Sequence, residues 1–503
     1  MAQRIVSIIT ITFYLLVFAL PILGLAILGG LDTNLTPSDV AAVKFTVKQA
    51  FWSAIVSILV AIPVSRALAR RQFMGRAVLI SVLSAPFILP VIVAISGVLF
   101  IFGRDGVVNQ ILGAVSLNSV SIYGLTGILL VHVFFNLPLA IRVLLFGWGA
   151  IPVEHHRIIR GLNLSPWARF KVIELPMLIS RVPSVAAIIF VICLSSFAVA
   201  LLIGGGPRAT TVELAIYQAF RFDFDLAKAG QLAIIQSCFA AVAILISLLA
   251  SKRLQVGPSY IINGITVSSR RAFFIDYGLI FAASLFMLGP IIAVILRGLP
   301  YLPTLPMSVW ISALTSLMVA LPSSIICILM SLFMAHRIGD SISMLALSIS
   351  PLVLGVGLFV LLRPFVNPFD ITLLIVIVLN AVLAVPFVLR LVLPEIEKTK
   401  TDFQQLFRSL GMSDWSIWFW VLLPQLLRPL GFAFGLTMAL SLGDLGVIVL
   451  LGSPETATLP YQIMQLRTGY RLDVAAGASV LLLVMCLASI VCFDGLGRRY
   501  ARN

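Results

Sequence analysis

Residues 157–177 read RIIRGLNLSPWARFKVIELPM, and residues 405–425 read QLFRSLGMSDWSIWFWVLLPQ. One constant offset pairs Trp167 with Trp415, Asn163 with Gly411 and Pro176 with Pro424; upstream it pairs Pro138-x3-Arg142 with Pro386-x3-Arg390. Both stretches are polar islands in an apolar chain, so they lie outside lipid, and their recurrence divides the chain into two equivalent halves. Each reads as helix, turn, helix. In the second copy Gln404 to Leu410 forms a short helix and Gly411 supplies the left-handed residue that ends it. Ser413 or Asp414 caps the next helix, and Pro424 stops or kinks it. In the first copy Asn163, the non-glycine residue most tolerant of that conformation, takes the glycine's place. A single copy would pass for an interfacial turn. Two copies in equivalent places read as a docking element outside the membrane.

The surrounding chain is 61% hydrophobic and 11% charged over 503 residues, outside the range of soluble globular proteins. Its apolar runs are long enough to cross about 30 Å of hydrocarbon as helices. They are continuous rather than alternating, which excludes a β-barrel. The fold class is therefore all-α, a polytopic membrane protein. Runs at 5–29, 45–65, 77–102, 122–147, 184–203 and 228–251 form one set of six spans. Those at 272–296, 309–335, 341–362, 371–393, 430–452 and 473–494 form the second. The halves are 1–254 and 272–503, joined by a linker at 255–271 that holds Gly257, Pro258 and Gly264.

The formal net charge is +15, yet the basic residues form no contiguous phosphate-tracking surface, so nucleic acid is not a partner. They cluster between spans, as Arg66, Arg70, Arg71 and Arg76, as Lys252, Arg253, Arg270 and Arg271, and as Arg498, Arg499 and Arg502. With both termini cytoplasmic, these segments and both repeated stretches fall inside. The acidic or neutral segments Asp32 to Asp39, Leu117 to Ser121 and Pro454 to Thr458 fall outside. The run behind Arg4 shows no small-residue cleavage site and reads as an uncleaved first span. Cys193, Cys238, Cys327, Cys486 and Cys492 stand singly in apolar stretches and read as small core residues.

Even span numbers make the halves parallel, related by a pseudo-two-fold axis along the membrane normal, with a pathway between them. The repeat extends into the spans. Ala54-x2-Ser57-x3-Ala61-x-Pro63 matches Ala313-x2-Ser316-x3-Ala320-x-Pro322, small residues on one face that let helices approach closely. Pro207-x3-Thr211 matches Pro454-x3-Thr458, and Gly230 matches Gly477. Polar groups inside spans are functional candidates. Asp444, between Gly443 and Gly446, serves either a cationic substrate or helix packing. His132 and Asn136, one turn apart, are either an interhelical hydrogen-bonding pair or substrate contacts. Phe134 and Phe135 suit a cation–π contact or plain packing. Asp223 and Asp225 face a soluble binding protein or only solvent. His155-His156 lacks a third ligand, no catalytic constellation is present, and no metal is assigned.

The spacing Asn163-x9-Ile173-x-Leu175-Pro176 and Gly411-x9-Val421-x-Leu423-Pro424 resembles the cytoplasmic coupling loop of bacterial ABC importer permeases. It departs from that pattern where Glu-Ala-Ala is usual, with Arg157-Ile158-Ile159 and Gln405-Leu406-Phe407. The resemblance implies a MetI-like permease fold, with Arg157, Arg160, Asn163, Trp167, Pro176, Gln405, Arg408, Gly411, Trp415 and Pro424 coupling to two copies of a cytoplasmic ABC ATPase. Arg169 and Asp414 are further candidates for polar contacts there. The segments FFNLPLA at 134–140, GGGP at 204–207 and TTVELAIYQ at 210–218 resemble the fused permeases of bacterial thiamine importers. That likeness implies an inner-membrane protein served by a periplasmic substrate-binding protein. It also implies that no cofactor is bound by this chain, with ATP and magnesium held by the partner ATPase. Ferric-iron permeases share the fused design and are the nearest alternative. No G-x4-G-K-[ST] stretch occurs, so the energy comes from another polypeptide. An ion-coupled 6+6 carrier is the rival class; its usual Gly/Asp/Arg-rich loop between spans 2 and 3 is missing, since Arg66 to Arg76 contains no acid, and the repeated block lies between spans 4 and 5 of each half instead.

Overall fold

The computed structural model describes residues 2–29, 35–83, 89–151, 165–250, 270–347 and 349–500. The linker up to residue 269 and the first-loop residues 152–164 lie outside them. In the first half, α1 (Ala2–Gly29) and α2 (Pro37–Arg70) are followed by α3 (Arg76–Val82), α4 (Val91–Phe102) and α5 (Val107–Ala114). Then come α6 (Leu125–Gly149), α7 (Pro166–Arg169), α8 (Leu175–Leu194), α9 (Phe197–Ile203), α10 (Val212–Arg221) and α11 (Leu226–Ala250). The second half opens with α12 (Arg270–Gly298), α13 (Met307–Phe333), α14 (Arg337–Ser343) and α15 (Pro351–Leu362). It continues with α16 (Thr372–Asp402), α17 (Gln404–Ser409), α18 (Asp414–Ile417), α19 (Leu423–Leu442), α20 (Gly446–Leu451), α21 (Leu459–Thr468) and α22 (Leu472–Tyr500).

Among the described residues eleven helical runs are long and apolar enough to cross a membrane. The bent pair Arg337–Ala346 and Pro351–Leu362 makes a twelfth, with 86° between its arms. The expected straight spans at 77–102 and 341–362 are thus each two helices. A proline stands at each break: Pro90 precedes α4 and Pro351 opens α15, at helix starts where the missing N–H loses no hydrogen bond. The fifth spans also break, at Ser195–Ser196 and at Gly443–Leu445, rather than running unbroken to 203 and 452. Conversely, α2 starts well ahead of its apolar run. Thr36 and Asp39 form a reciprocal capping box, the Asp39 carboxylate accepting the Thr36 N–H at 3.0 Å, and Pro37 takes the first turn.

The small-residue faces are buried as their pattern requires. Ala54, Ser57 and Ala61 pack in the first half and Ala313, Ser316 and Ala320 in the second, with α2 against α6 and α8, and α13 against α16 and α19. The first spans are exchanged between halves: α1 lies along α15, and α12 along α4. Each crossing is a proline against a glycine. A methyl on Gly97 would strike the Pro290 backbone, and one on Gly357 would strike Pro21, so both positions require bare backbone. Hydrogen bonds lace the same exchange, Tyr14 Oη donating to the Ser343 carbonyl at 2.9 Å and Ser7 meeting His336 at 3.0 Å. Cys193, Cys327 and Cys486 are core residues; Cys238 and Cys492 instead sit on the outer surface of the bundle.

Candidate functional site

The second repeated loop is built by its own sequence. α17 ends in a Schellman turn: Gly411 has φ +59°, its N–H donates to the Arg408 carbonyl at 3.3 Å, and the Met412 N–H donates to Phe407 at 3.1 Å. Ser413 Oγ then accepts the Ser416 N–H at 3.2 Å to begin α18, and Ser165 does the same for Ala168 ahead of α7. Pro176 and Pro424 do not stop the helix. Each lies just inside α8 or α19, and the turn before it widens into a π-helix, at Phe170–Glu174 and Trp418–Leu422. The wider turn contains the residue four before the proline, whose carbonyl the ring would otherwise strike. Arg157, Arg160 and Asn163 lie outside the described residues, as does His155-His156. Trp167 and Trp415 are 72% and 67% exposed, each against a neighbouring Phe, and Gln405 and Arg408 are exposed beside Leu406 and Leu410.

The two loops are anchored differently. Glu174, buried at the end of the first, lies 2.5 Å from Arg66 Nε and accepts a hydrogen bond from Arg70 at 3.2 Å. The Arg66 guanidinium also covers the Phe170 ring at 5.4 Å. The adjacent Arg71 pairs with Asp276 of α12 at 2.7 Å, so this charged chain runs from the first loop through α2 into the other half. In the second loop the place of Glu174 is taken by the buried Leu422, with Thr399 donating to Gln425 at 2.6 Å nearby. One loop is clamped by charge, the other by apolar packing.

A cavity of about 370 Å³ opens where the third and fifth spans of both halves break. Its walls include Pro90 and Val91 before α4, Ser350 and Pro351 before α15, Ser195 to Phe197, and Gly443 to Gly446. His132 and Asn136 of α6 reach it. His132 has both ring nitrogens engaged, by Ser53 at 2.8 Å and Ser196 at 2.6 Å, and Asn136 donates to Cys193 Sγ at 3.2 Å. Both are therefore held in links between helices as well as lining the cavity. Phe134 is not on the wall: it is fully buried and meets Phe286 of α12 at 6.2 Å, while Phe135 lines the cavity. Asp444 is on the wall, Oδ1 accepting the Gly446 N–H at 3.2 Å.

Glu213, in the first turn of α10, also lines the cavity and carried no role in the sequence reading. Its position is fixed because Thr211 caps the helix and the Val212 N–H donates to Thr46 of α2 at 2.9 Å. The only signal for it was an acid in a helix's first turn, a placement that ordinarily means capping. Beyond the cavity two arginines bridge the halves. Arg221 of α10 donates to the carbonyls of Leu450 and Gly452 at 3.3 and 3.2 Å, and Arg467 of α21 donates to Ser96 of α4 at 3.1 Å.

Two parallel six-span bundles with exchanged first spans, a repeated loop in each and a shared cavity at their broken spans define a membrane transport permease. Residues 278–503 match the family model described as binding-protein-dependent transport system inner membrane component. The thiamine transport system permease protein ThiP of Brucella abortus (strain 2308) is 36% identical over 469 residues, covering 90% of this chain and 86% of its own. Its counterpart in Escherichia coli (strain K12) is 35% identical over 481 residues, 92% of this chain and 90% of that one. That of Haemophilus influenzae is 33% identical over 468 residues, 88% and 86%. The chain belongs to the family of thiamine transport system permeases.

Proposed function

We propose that this chain forms the transmembrane pathway of an ATP-driven thiamine importer in a bacterial inner membrane. Similarity to thiamine permeases along nearly the whole length, at 33% to 36% identity, carries the substrate assignment. A binding protein outside delivers thiamine to the mouth between the halves. Inside, the two coupling loops seat on two copies of an ATPase, because one chain carries both halves and each half carries one loop. Both termini are cytoplasmic. The chain itself catalyses no reaction; nucleotide and magnesium belong to the ATPase.

The exposed Trp167 and Trp415 support the docking role, since exposed aromatic anchors dominate the energetics of protein interfaces. ATP-driven closure of the ATPase dimer moves both loops together. The movement reaches the first half through Glu174 and α2, and crosses to the second through Arg71 and Asp276. The cavity then opens alternately to each side as the halves rock. Uptake of labelled thiamine at nanomolar concentration tests the assignment in cells lacking any second thiamine route. Deleting the gene should abolish uptake and the intact chain should restore it; undiminished uptake in the deletion strain refutes the substrate.

A further inference from the structure

Among the described residues the central cavity is lined by two carboxyl groups and by no lysine or arginine to balance them. Glu213 is 1% exposed. It is hydrogen-bonded to Ser350 and to the Phe197 backbone, yet its Oε1 has no partner. Asp444 uses Oδ1 on the Gly446 N–H, while its enclosed Oδ2 has none. The described lining includes one histidine, His132, and both its nitrogens are occupied by serines. Buried carboxylates are retained inside membranes when they face a partner, and the described walls leave one oxygen of each without one and supply no cationic side chain.

The remaining walls suit an organic partner. Phe135 and Phe197 present rings, and a volume of about 370 Å³ falls at the small end of ligand sites, which run from roughly 300 to 1,000 Å³. We propose that the cavity binds a ring-bearing organic monocation directly. Glu213 and Asp444 meet its charge from the two halves, and Phe135 and Phe197 lie against its ring. Given the importer reading above, on which this identification rests, the cation is the thiazolium of thiamine. Selectivity then resides partly in the permease and not in the binding protein alone. Glu213 belongs to the first half and its partner Ser350 to the second, so separating the halves takes the site apart and releases the ligand.

The test is equilibrium binding of labelled thiamine to the purified permease–ATPase complex without binding protein. Wild type should bind. Glu213→Gln and Asp444→Asn should each weaken binding about tenfold or more, as expected for losing a charge-assisted contact. Should either variant fail to assemble, competition on wild type decides: an N-alkylated thiazolium should displace thiamine, and the same thiazole without its charge should not. Equal competition by the neutral ring, displacement by magnesium or calcium alone, or absent binding overturns the proposal. Cellular thiamine uptake that persists alongside any of these leaves the importer reading standing and removes only this site.

Discussion

Replacing Glu174 by glutamine keeps the side chain's shape and removes its charge, leaving Arg66 and Arg70 facing an uncharged amide. The Glu174 side chain is 2% exposed, Arg70 12% and Arg66 28%. Removing one partner from a fully buried ion pair costs roughly 3–5 kcal/mol. Water reaching Arg66 recovers part of that, which leaves about 2–3 kcal/mol for this cluster. If that energy holds the first coupling loop against α2, the fraction of correctly seated loop falls by about 30- to 150-fold relative to unseated loop. The assay is thiamine delivered per ATP hydrolysed in proteoliposomes containing ATPase and binding protein. Glu174→Gln should lower that ratio by about tenfold or more while hydrolysis continues through the second loop. Combining it with Arg66→Gln and Arg70→Gln should cost less than the summed single losses, because the stranded charges are then gone. An unchanged ratio in the single variant, or strictly additive losses in the combination, would refute the clamp.

Trp167→Ala and Trp415→Ala should each weaken ATPase association by about 2 kcal/mol, roughly 30-fold, in co-purification titrations. Both should leave the amount of membrane-inserted permease unchanged. Gly97→Ala and Gly357→Ala should each lower the melting stability of the detergent-solubilised complex by about 1–3 kcal/mol. Their effects should add, since the two crossings share no partner. Arg221→Ala and Arg467→Ala should raise ATP hydrolysis in the absence of binding protein several-fold, by releasing the contacts to Leu450, Gly452 and Ser96 that hold the halves together.

Much of the architecture was legible in the residues because its causes are local. Gly411 lies where a helix must end in a left-handed residue, and Ala54, Ser57 and Ala61 lie where helices must touch. Apolar length sets the spans without reference to anything distant. Features that depend on partners far along the chain were not legible. Nothing near residue 174 says that Arg66 and Arg70 meet it, and nothing near Asp276 names Arg71. The π-turns were hidden because a proline in a helical run is compatible with a stop, a kink or a widened turn, and only the continuing packing of α8 and α19 selects the last. Phe134 and Phe135 could not be ranked, since α6 is apolar on nearly every face and its rotation is set by α2 and α8. Glu213 was not legible either, because its place on the cavity wall depends on Ser350 of the other half. The fifth-span breaks at Ser195–Ser196 and Gly443–Leu445 fall inside apolar runs whose length alone reads as one unbroken span.

In the mechanism proposed above, one chain carrying two coupling loops moves thiamine at the expense of ATP. Its most direct test is thiamine accumulation in proteoliposomes holding the purified permease and ATPase, with binding protein outside and no ion gradient. ATP-dependent accumulation that vanishes without binding protein, in a complex of one permease to two ATPase copies, is the expected result. Accumulation driven by an ion gradient without ATP, or a complex holding a single ATPase, would contradict it.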